Sequence, residues 1–185
     1  MKYSYDDYVT AFSDGFKRVL IDPKYINKIS RFVDELIAAK AQEEHHRRDG
    51  FNESTRFMTG FLGEAALEKL FGIEIIDWSI GYSGLYHHPD IPGYSVGIKT
   101  VERGKFPIIF KTNHYPQIMC VRSNRQSNLV FVCGLATVDV LNTYQDVDLI
   151  LDPQLRARGT KTGFYGYEHL MPVNSLNDIE KYRKP

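Results

Sequence analysis

Two segments in the first half of the chain carry apolar residues at helical spacing. The first begins at Asp22-Pro23, where Asp can cap free N–H groups and Pro suits the first helical position. The second extends from about Ser54 to Gly72. We predict two amphipathic helices, joined by a polar, exposed loop at 42–50. The apolar stripe of the first helix comprises Tyr25, Ile26, Ile29, Phe32, Val33, Leu36 and Ile37.

After Gly72 the spacing of apolar residues becomes that of strands. Helices followed by a strand-rich middle and further helices predict an α/β domain, in which a mixed β-sheet is flanked by α-helices. We predict one domain over 1–185, with a helical part at 1–72, a strand-rich core at 73–140 and C-terminal helices and loop at 141–185. The predicted strands are 73–80, 94–99, 117–122 and 128–140, and the later helices are 142–151 and 174–182.

Charge, hydropathy and cysteine content indicate which partners and which cellular compartment to expect. The 23 basic and 23 acidic side chains cancel, so affinity for nucleic acid would need a local basic surface. No apolar run approaches the roughly 18 residues of a membrane span, and the N-terminus is too polar for a secretory signal. Cys120 and Cys133 lie in apolar, strand-like runs, where reduced and buried thiols are expected. We therefore expect a soluble, cytoplasmic protein with no membrane partner.

Candidate chemistry lies around Pro89-Asp90 and the strand that ends at Lys99. Because side chains alternate along a strand, position 97 and Lys99 share one face while Val96 and Ile98 point into the core. This predicts Lys99 on the exposed, polar side of a packed strand. A turn at 91–93 would let Asp90 meet the lysine.

Three short motifs occur in an order that resembles the PD-(D/E)xK nuclease superfamily: Gly63-Glu64, Pro89-Asp90 and Gly97-Ile98-Lys99. The resemblance implies a restriction-endonuclease-like fold and metal-dependent hydrolysis of DNA phosphodiester bonds, with RNA and a homodimer left open. It further implies that Glu64 and Asp90 bind Mg²⁺ or Mn²⁺, helped by the backbone carbonyl of Ile98, and that Lys99 is the catalytic lysine. The small size would suit a phage or restriction-type protein.

The chain departs from the family pattern at position 97, where Gly replaces the second acid. Glycine supplies no carboxylate, so the site would hold Mg²⁺ more weakly. Glu102 is near in sequence but would face away from Lys99 on a regular strand. This departure keeps open a second interpretation, a degenerate nuclease fold that binds nucleic acid or a nucleic-acid-processing protein without cutting. A third is a structural or partner-binding protein.

Other residues carry weaker signals. Arg156, Arg158 and Lys161, with Tyr165 and Tyr167, form the best candidate surface for nucleic acid, although a solvated loop has the same composition.

Several polar residues have an ordinary structural interpretation beside a functional one. Glu68 lies one helical turn after Glu64 and would be its equal without the motif. Gln117 begins the predicted strand at 117–122, where some nucleases of this superfamily carry a polar site residue. His87-His88 could join a metal site, and the run 45–48 could contact phosphate, yet loop histidines and charged helix ends are usually solvated.

Overall fold

The computed structural model describes residues 2–40, 50–80 and 89–185, without the side chains of 50–52. Its α-helices are α1 (Tyr5–Tyr8), α2 (Pro23–Lys40), α3 (Gly50–Phe71), α4 (Val138–Thr143) and α5 (Pro153–Ala157). Its strands are β1 (Lys17–Leu20), β2 (Gly97–Glu102), β3 (Ile108–Phe110), β4 (Gln117–Arg122), β5 (Leu129–Ala136), β6 (Gln145–Asp146) and β7 (Lys161–Phe164). Short 3₁₀ helices span Thr10–Gly15, Val147–Leu149, Tyr167–His169 and Leu176–Tyr182.

The strands form two sheets. The larger has the order β1-β5-β4-β2, in which β2 runs parallel to β4 and the other pairs are antiparallel. The smaller is antiparallel, in the order β3-β7-β6. Helices α2 and α3 contact each other, and α3 packs against the larger sheet. The prediction of a mixed α/β architecture, with a mixed sheet flanked by helices, is confirmed at this level.

Both long helices are confirmed. Helix α2 begins at Pro23, and the Asp22 carboxylate accepts a hydrogen bond from the N–H of Lys24 (2.7 Å). Helix α3 begins at Gly50, four residues before the predicted start, and Gly72 follows it with a φ of 69°. The region 42–49 lies outside the described residues. Among the described helices, none has both the length and the apolar character needed to cross a membrane.

The predicted strand at 73–80 is wrong, because this segment has no strand partner in the described structure. The carboxylate of Glu68 accepts the N–H groups of Ile75 and Ile76, at 2.8 and 2.9 Å, and so removes two donors that a sheet ladder would need. The next strand, predicted at 94–99, is β2 and begins only at Gly97. The first residues of the predicted strand bond elsewhere, since the Ser95 N–H donates to the Tyr182 carbonyl.

The predicted strand at 117–122 is confirmed as β4, whereas the strand predicted at 128–140 ends at Ala136. Thr137 ends it by capping α4, because its hydroxyl accepts the N–H of Val140. The helix predicted at 142–151 is wrong, since α4 ends at Thr143 and β6 and a 3₁₀ turn occupy the middle of that range. The C-terminal helix predicted at 174–182 is present as the 3₁₀ helix Leu176–Tyr182.

Two apolar clusters cover the two faces of the larger sheet. One, between the sheet and helices α2 and α3, includes Ile29, Leu62, Val96, Ile118 and Cys120. The other, between the sheet and the smaller sheet, includes Ile109, Met119, Cys133 and Phe164. Both cysteines are free and buried.

Helix α3 approaches β2 very closely at Gly63. A Cβ atom on Gly63 would lie only 1.7 Å from the hydroxyl oxygen of Thr100 and 2.8 Å from its Cβ. Only a residue without a side chain fits there. This contact sets the distance between α3 and the edge of the larger sheet.

Gly63→Ala should therefore destabilise the protein by about 1–3 kcal/mol, because the added methyl group overlaps Thr100 and must push the helix or the strand aside. Gly60→Ala is the matched control, since a Cβ there meets nothing within 4 Å and Ala is the better helix former. Gly60→Ala should raise the free energy of unfolding by about 0.5–1 kcal/mol. Urea unfolding of the two variants measures both effects, and equal shifts would contradict the close contact.

Candidate functional site at the edge of strand β2

A tight turn holds Asp90 against the free edge of β2. The Ile91 N–H donates to the Val96 carbonyl (3.2 Å), and the Tyr94 N–H donates to the Ile91 carbonyl (3.1 Å). Gly93 takes a φ of 77° within this turn. The carboxylate of Asp90 accepts the N–H of Ile98 at 2.5 Å. Since β4 pairs with the opposite edge of β2, Asp90 occupies the edge left open by the described strands.

Two opposing effects act on the Asp90 carboxylate. Packing around it raises the pKa of Asp90, whereas the Ile98 N–H and the positive charge of Lys99 act to lower it. Asp90 keeps an exposed side. The carboxylate is thus fixed by the backbone of β2 and still accessible to a ligand.

Glu64 reaches the same edge from α3. It follows Gly63, so the close contact with Thr100 brings its backbone next to β2. Burial raises the pKa of Glu64 to about 8, and the negative charges of Asp90, Glu68 and Asp77 add to the effect. The Asp90 contribution shows that the two carboxylates are close enough to repel each other.

Glu68, which the sequence could not distinguish from Glu64, has a different environment. Its carboxylate accepts the N–H groups of Ile75 and Ile76 and the hydroxyl of Tyr25 (2.5 Å). These bonds connect α3 to α2 and to the following segment. Glu68 is therefore a structural acid, and Glu64 is the acid of this pair that faces the site.

Lys99 lies on the opposite face of β2 from Thr100 and is half-buried. The prediction of an exposed face is wrong, because the smaller sheet covers that side through the cluster of Ile109, Met119 and Phe164. Burial lowers the pKa of Lys99, the charge of Arg56 lowers it further, and the charge of Asp90 opposes both effects. Within the described residues, Lys99 has no ion pair within 4.0 Å.

Lys161 on β7 also faces this region. Burial lowers the pKa of Lys161 to about 8, and the nearby charge of Lys99 contributes to the shift. Its ammonium group lies 3.0 Å from the centre of the Phe110 ring. The smaller sheet thus places a second lysine near Lys99.

The three residues of the predicted nucleic-acid surface have separate environments. Arg156 donates to the carbonyls of Asp148 and Ile150, so its guanidinium holds its own loop together. Arg158 is exposed at the end of α5. Of the three, only Lys161 interacts with a residue of the β2 edge site.

Position 97, which strand alternation placed on the face of Lys99, also lies next to Asp90. A Cβ on Gly97 would lie 3.3 Å from the Asp90 carboxylate oxygen, but also 2.8 Å from the Tyr115 ring and 3.3 Å from Cγ of Gln117. The space that a second acid would use is therefore occupied by Tyr115. Sequence reasoning missed this residue, whose one signal is its place two residues before β4.

The residues of this edge fit a weakly held, oxygen-ligated cation. The charge of Asp90 disfavours the charged form of the Glu64 carboxylate, and a divalent cation would relieve that repulsion. In the described residues, no group of three or more His, Cys, Asp or Glu side chains is arranged to hold a metal ion. Glu102 does not add a third acid, because it pairs with Lys105 at 2.5 Å. His87, His88 and the run 45–48 lie outside the described residues.

Comparison with known proteins adds no relative. No family model, curated protein or solved structure matches the chain.

The raised pKa of Glu64 predicts how stability depends on pH. The folded state keeps a proton to about pH 8, whereas the unfolded chain releases it near 4.5, so this residue's contribution to stability is lost as pH rises between these values. Glu64→Gln should remove this loss and gain about 1–2 kcal/mol over wild type at pH 8.5. That gain is below the full equivalent of about 1.4 kcal/mol per pKa unit, because the site is partly open to solvent.

Urea unfolding from pH 4.5 to 8.5 in the presence of a chelator measures the difference. Asp34→Asn on the exposed side of α2 is the control and should follow wild type. Parallel curves for wild type and Glu64→Gln would contradict the assigned environment of Glu64.

Proposed function

We propose that the chain is a metal-dependent nuclease that hydrolyses DNA phosphodiester bonds, with a restriction-endonuclease-like arrangement of sheet and helices. The observation that supports this proposal is the position of Asp90 at the open edge of β2, where its charge acts on Glu64 of α3 and on Lys99 of β2. The order of the three motifs leads one to expect Asp90 between the other two groups in such a site. A cytoplasmic setting is part of the same proposal.

In this proposal Glu64, Asp90 and the Ile98 carbonyl would hold Mg²⁺ or Mn²⁺. Consecutive residues of a strand point their backbone groups to alternate edges, so the Ile98 carbonyl shares an edge with the N–H that binds Asp90. The bound cation would offset the negative charge that develops on phosphate oxygens during hydrolysis.

The protein's own residues have distinct tasks. The Ile98 N–H fixes the orientation of the Asp90 carboxylate. Lys99, half-buried and without an ion pair among the described residues, would donate a hydrogen bond to the attacking water or to a phosphate oxygen. Lys161 adds positive charge from the opposite sheet, which would help to bind the phosphate.

One observation favours a second candidate function, nucleic-acid binding by a degenerate nuclease fold. Tyr115 fills the position beside Asp90 where the family carries its second acid. With one carboxylate fewer, the edge would bind a cation weakly or only together with substrate phosphates. A protein of this kind would bind nucleic acid without cleaving it.

Cleavage assays distinguish the two functions. Purified protein should nick plasmid DNA only when a divalent cation is present, and Mn²⁺ should be at least as effective as Mg²⁺, because Mg²⁺ demands stricter octahedral geometry from a site with few ligands. Asp90→Asn should lower the rate by at least about 100-fold, since it removes a charged ligand. Asp34→Asn is the control and should leave the rate unchanged.

Cleavage that persists in chelator and in Asp90→Asn would refute the nuclease proposal at this site. Calorimetric titration of Mn²⁺ adds a second readout. Metal binding that is lost in Asp90→Asn, without cleavage of plasmid or of single-stranded substrates by wild type, would favour the degenerate fold.

A further inference from the structure

A groove of about 700 Å³ lies on the outer side of α2. One wall is the exposed face of the helix, and the other is Trp78, from the segment that follows α3. Its charged and polar lining residues on α2 are Lys24, Asn27, Lys28, Arg31 and Glu35.

The groove is basic in a chain whose net charge is zero. Lys24, Lys28 and Arg31 are spaced by four and three residues, so they lie along one face of α2, and all three are exposed. Glu35 is the one acid among the described lining residues. Among the described residues, no acid forms an ion pair with any of these three cations. Three unpaired cations in one groove suit a polyanion.

Trp78 gives the groove a flat aromatic surface. Its ring is held edge-on by Tyr25, with centroids 5.9 Å apart, and by Phe32, with centroids 5.3 Å apart. The ammonium group of Lys28 lies 3.8 Å above the ring. An exposed lysine over a ring is a weaker partner than a stacked base, so a nucleobase can displace it.

We propose that this groove binds a single-stranded segment of nucleic acid, with one base stacked on Trp78 and phosphates contacted by Lys24, Lys28 and Arg31. Displaced from the ring, Lys28 becomes available to a phosphate one nucleotide away. The choice of nucleic acid as the ligand rests on the proposed function. The groove would hold a single-stranded part of the substrate.

The groove is connected to the β2 edge site. The segment that carries Trp78 is fixed to α3 through the N–H groups of Ile75 and Ile76, which donate to the carboxylate of Glu68, one helical turn after Glu64. A bound strand that extends from Trp78 along this segment would therefore approach the face of α3 that carries Glu64. An acidic peptide would also be attracted by the three cations, but it would leave the flat face of Trp78 unused.

Trp78 is the only tryptophan of the chain, so its emission reports on the groove directly. Wild-type protein in chelator is titrated with an unlabelled oligothymidylate, and binding is followed in parallel by the anisotropy of a labelled copy. Stacking should quench Trp78 emission along the same curve as the anisotropy change. The slope of log K against log salt should be negative, and Lys28→Gln or Arg31→Gln should reduce its magnitude by about 0.7 for each lost phosphate contact.

Lys181→Gln is the matched control, because the Lys181 ammonium group also lies over an aromatic ring, Tyr182, at 4.9 Å, but on another element. It should keep the wild-type affinity and salt slope. Thermal unfolding of each variant checks that the fold is intact.

The inference is overturned if the oligonucleotide binds without quenching Trp78, if Lys181→Gln weakens binding as much as Lys28→Gln, or if a polyglutamate peptide quenches as strongly and competes equally. These results are separable from the cleavage assay. Quenching of Trp78 without cleavage under any cation would support nucleic-acid binding in the groove and refute the nuclease proposal. Cleavage without quenching would support the nuclease proposal and refute binding in the groove.

Discussion

The close contact between Gly63 and Thr100 determines the geometry of the whole candidate site. A helix usually stands off a sheet by the length of its side chains, but α3 meets β2 where the helix has none. The next residue, Glu64, is thereby carried to the sheet edge, where its carboxylate is partly desolvated and exposed to the charge of Asp90. A bulkier residue at position 63 would move this carboxylate away from β2 and weaken both effects.

The site combines groups whose charges are each disfavoured by the surroundings. The pKa of Glu64 is raised and the pKa of Lys99 is lowered, both mainly by burial. Such opposed shifts are common where acids and bases work in catalysis, although structural charge networks show them too. Glu68 illustrates the structural case within the same helix, because hydrogen bonds from two backbone amides and from Tyr25 satisfy it.

Helices and strands could be predicted from the sequence where one spacing of apolar residues runs through the whole segment, as in α2 and β4. Strand alternation also predicted that Val96 and Ile98 point into the core, and both contact the apolar cluster under α2 and α3. The smaller sheet could not be foreseen, because β3 and β6 have three and two residues and β3 pairs with β7 over more than fifty positions. Its presence is why Lys99 is half-buried and has Lys161 nearby. The ring of Tyr115 over Gly97 likewise depends on tertiary packing that no local pattern reveals.

The most direct test is a crystal structure of the protein soaked in Mn²⁺, read from the anomalous difference map. If Glu64 and Asp90 form one cation site, a peak should lie about 2.0–2.3 Å from a carboxylate oxygen of each and next to the Ile98 carbonyl. Lys99 should be on the same edge of β2, with its ammonium group directed toward the bound ion's water or phosphate ligands. An edge without a peak at high Mn²⁺ concentration, or Glu64 and Asp90 turned to separate surfaces, would contradict the account.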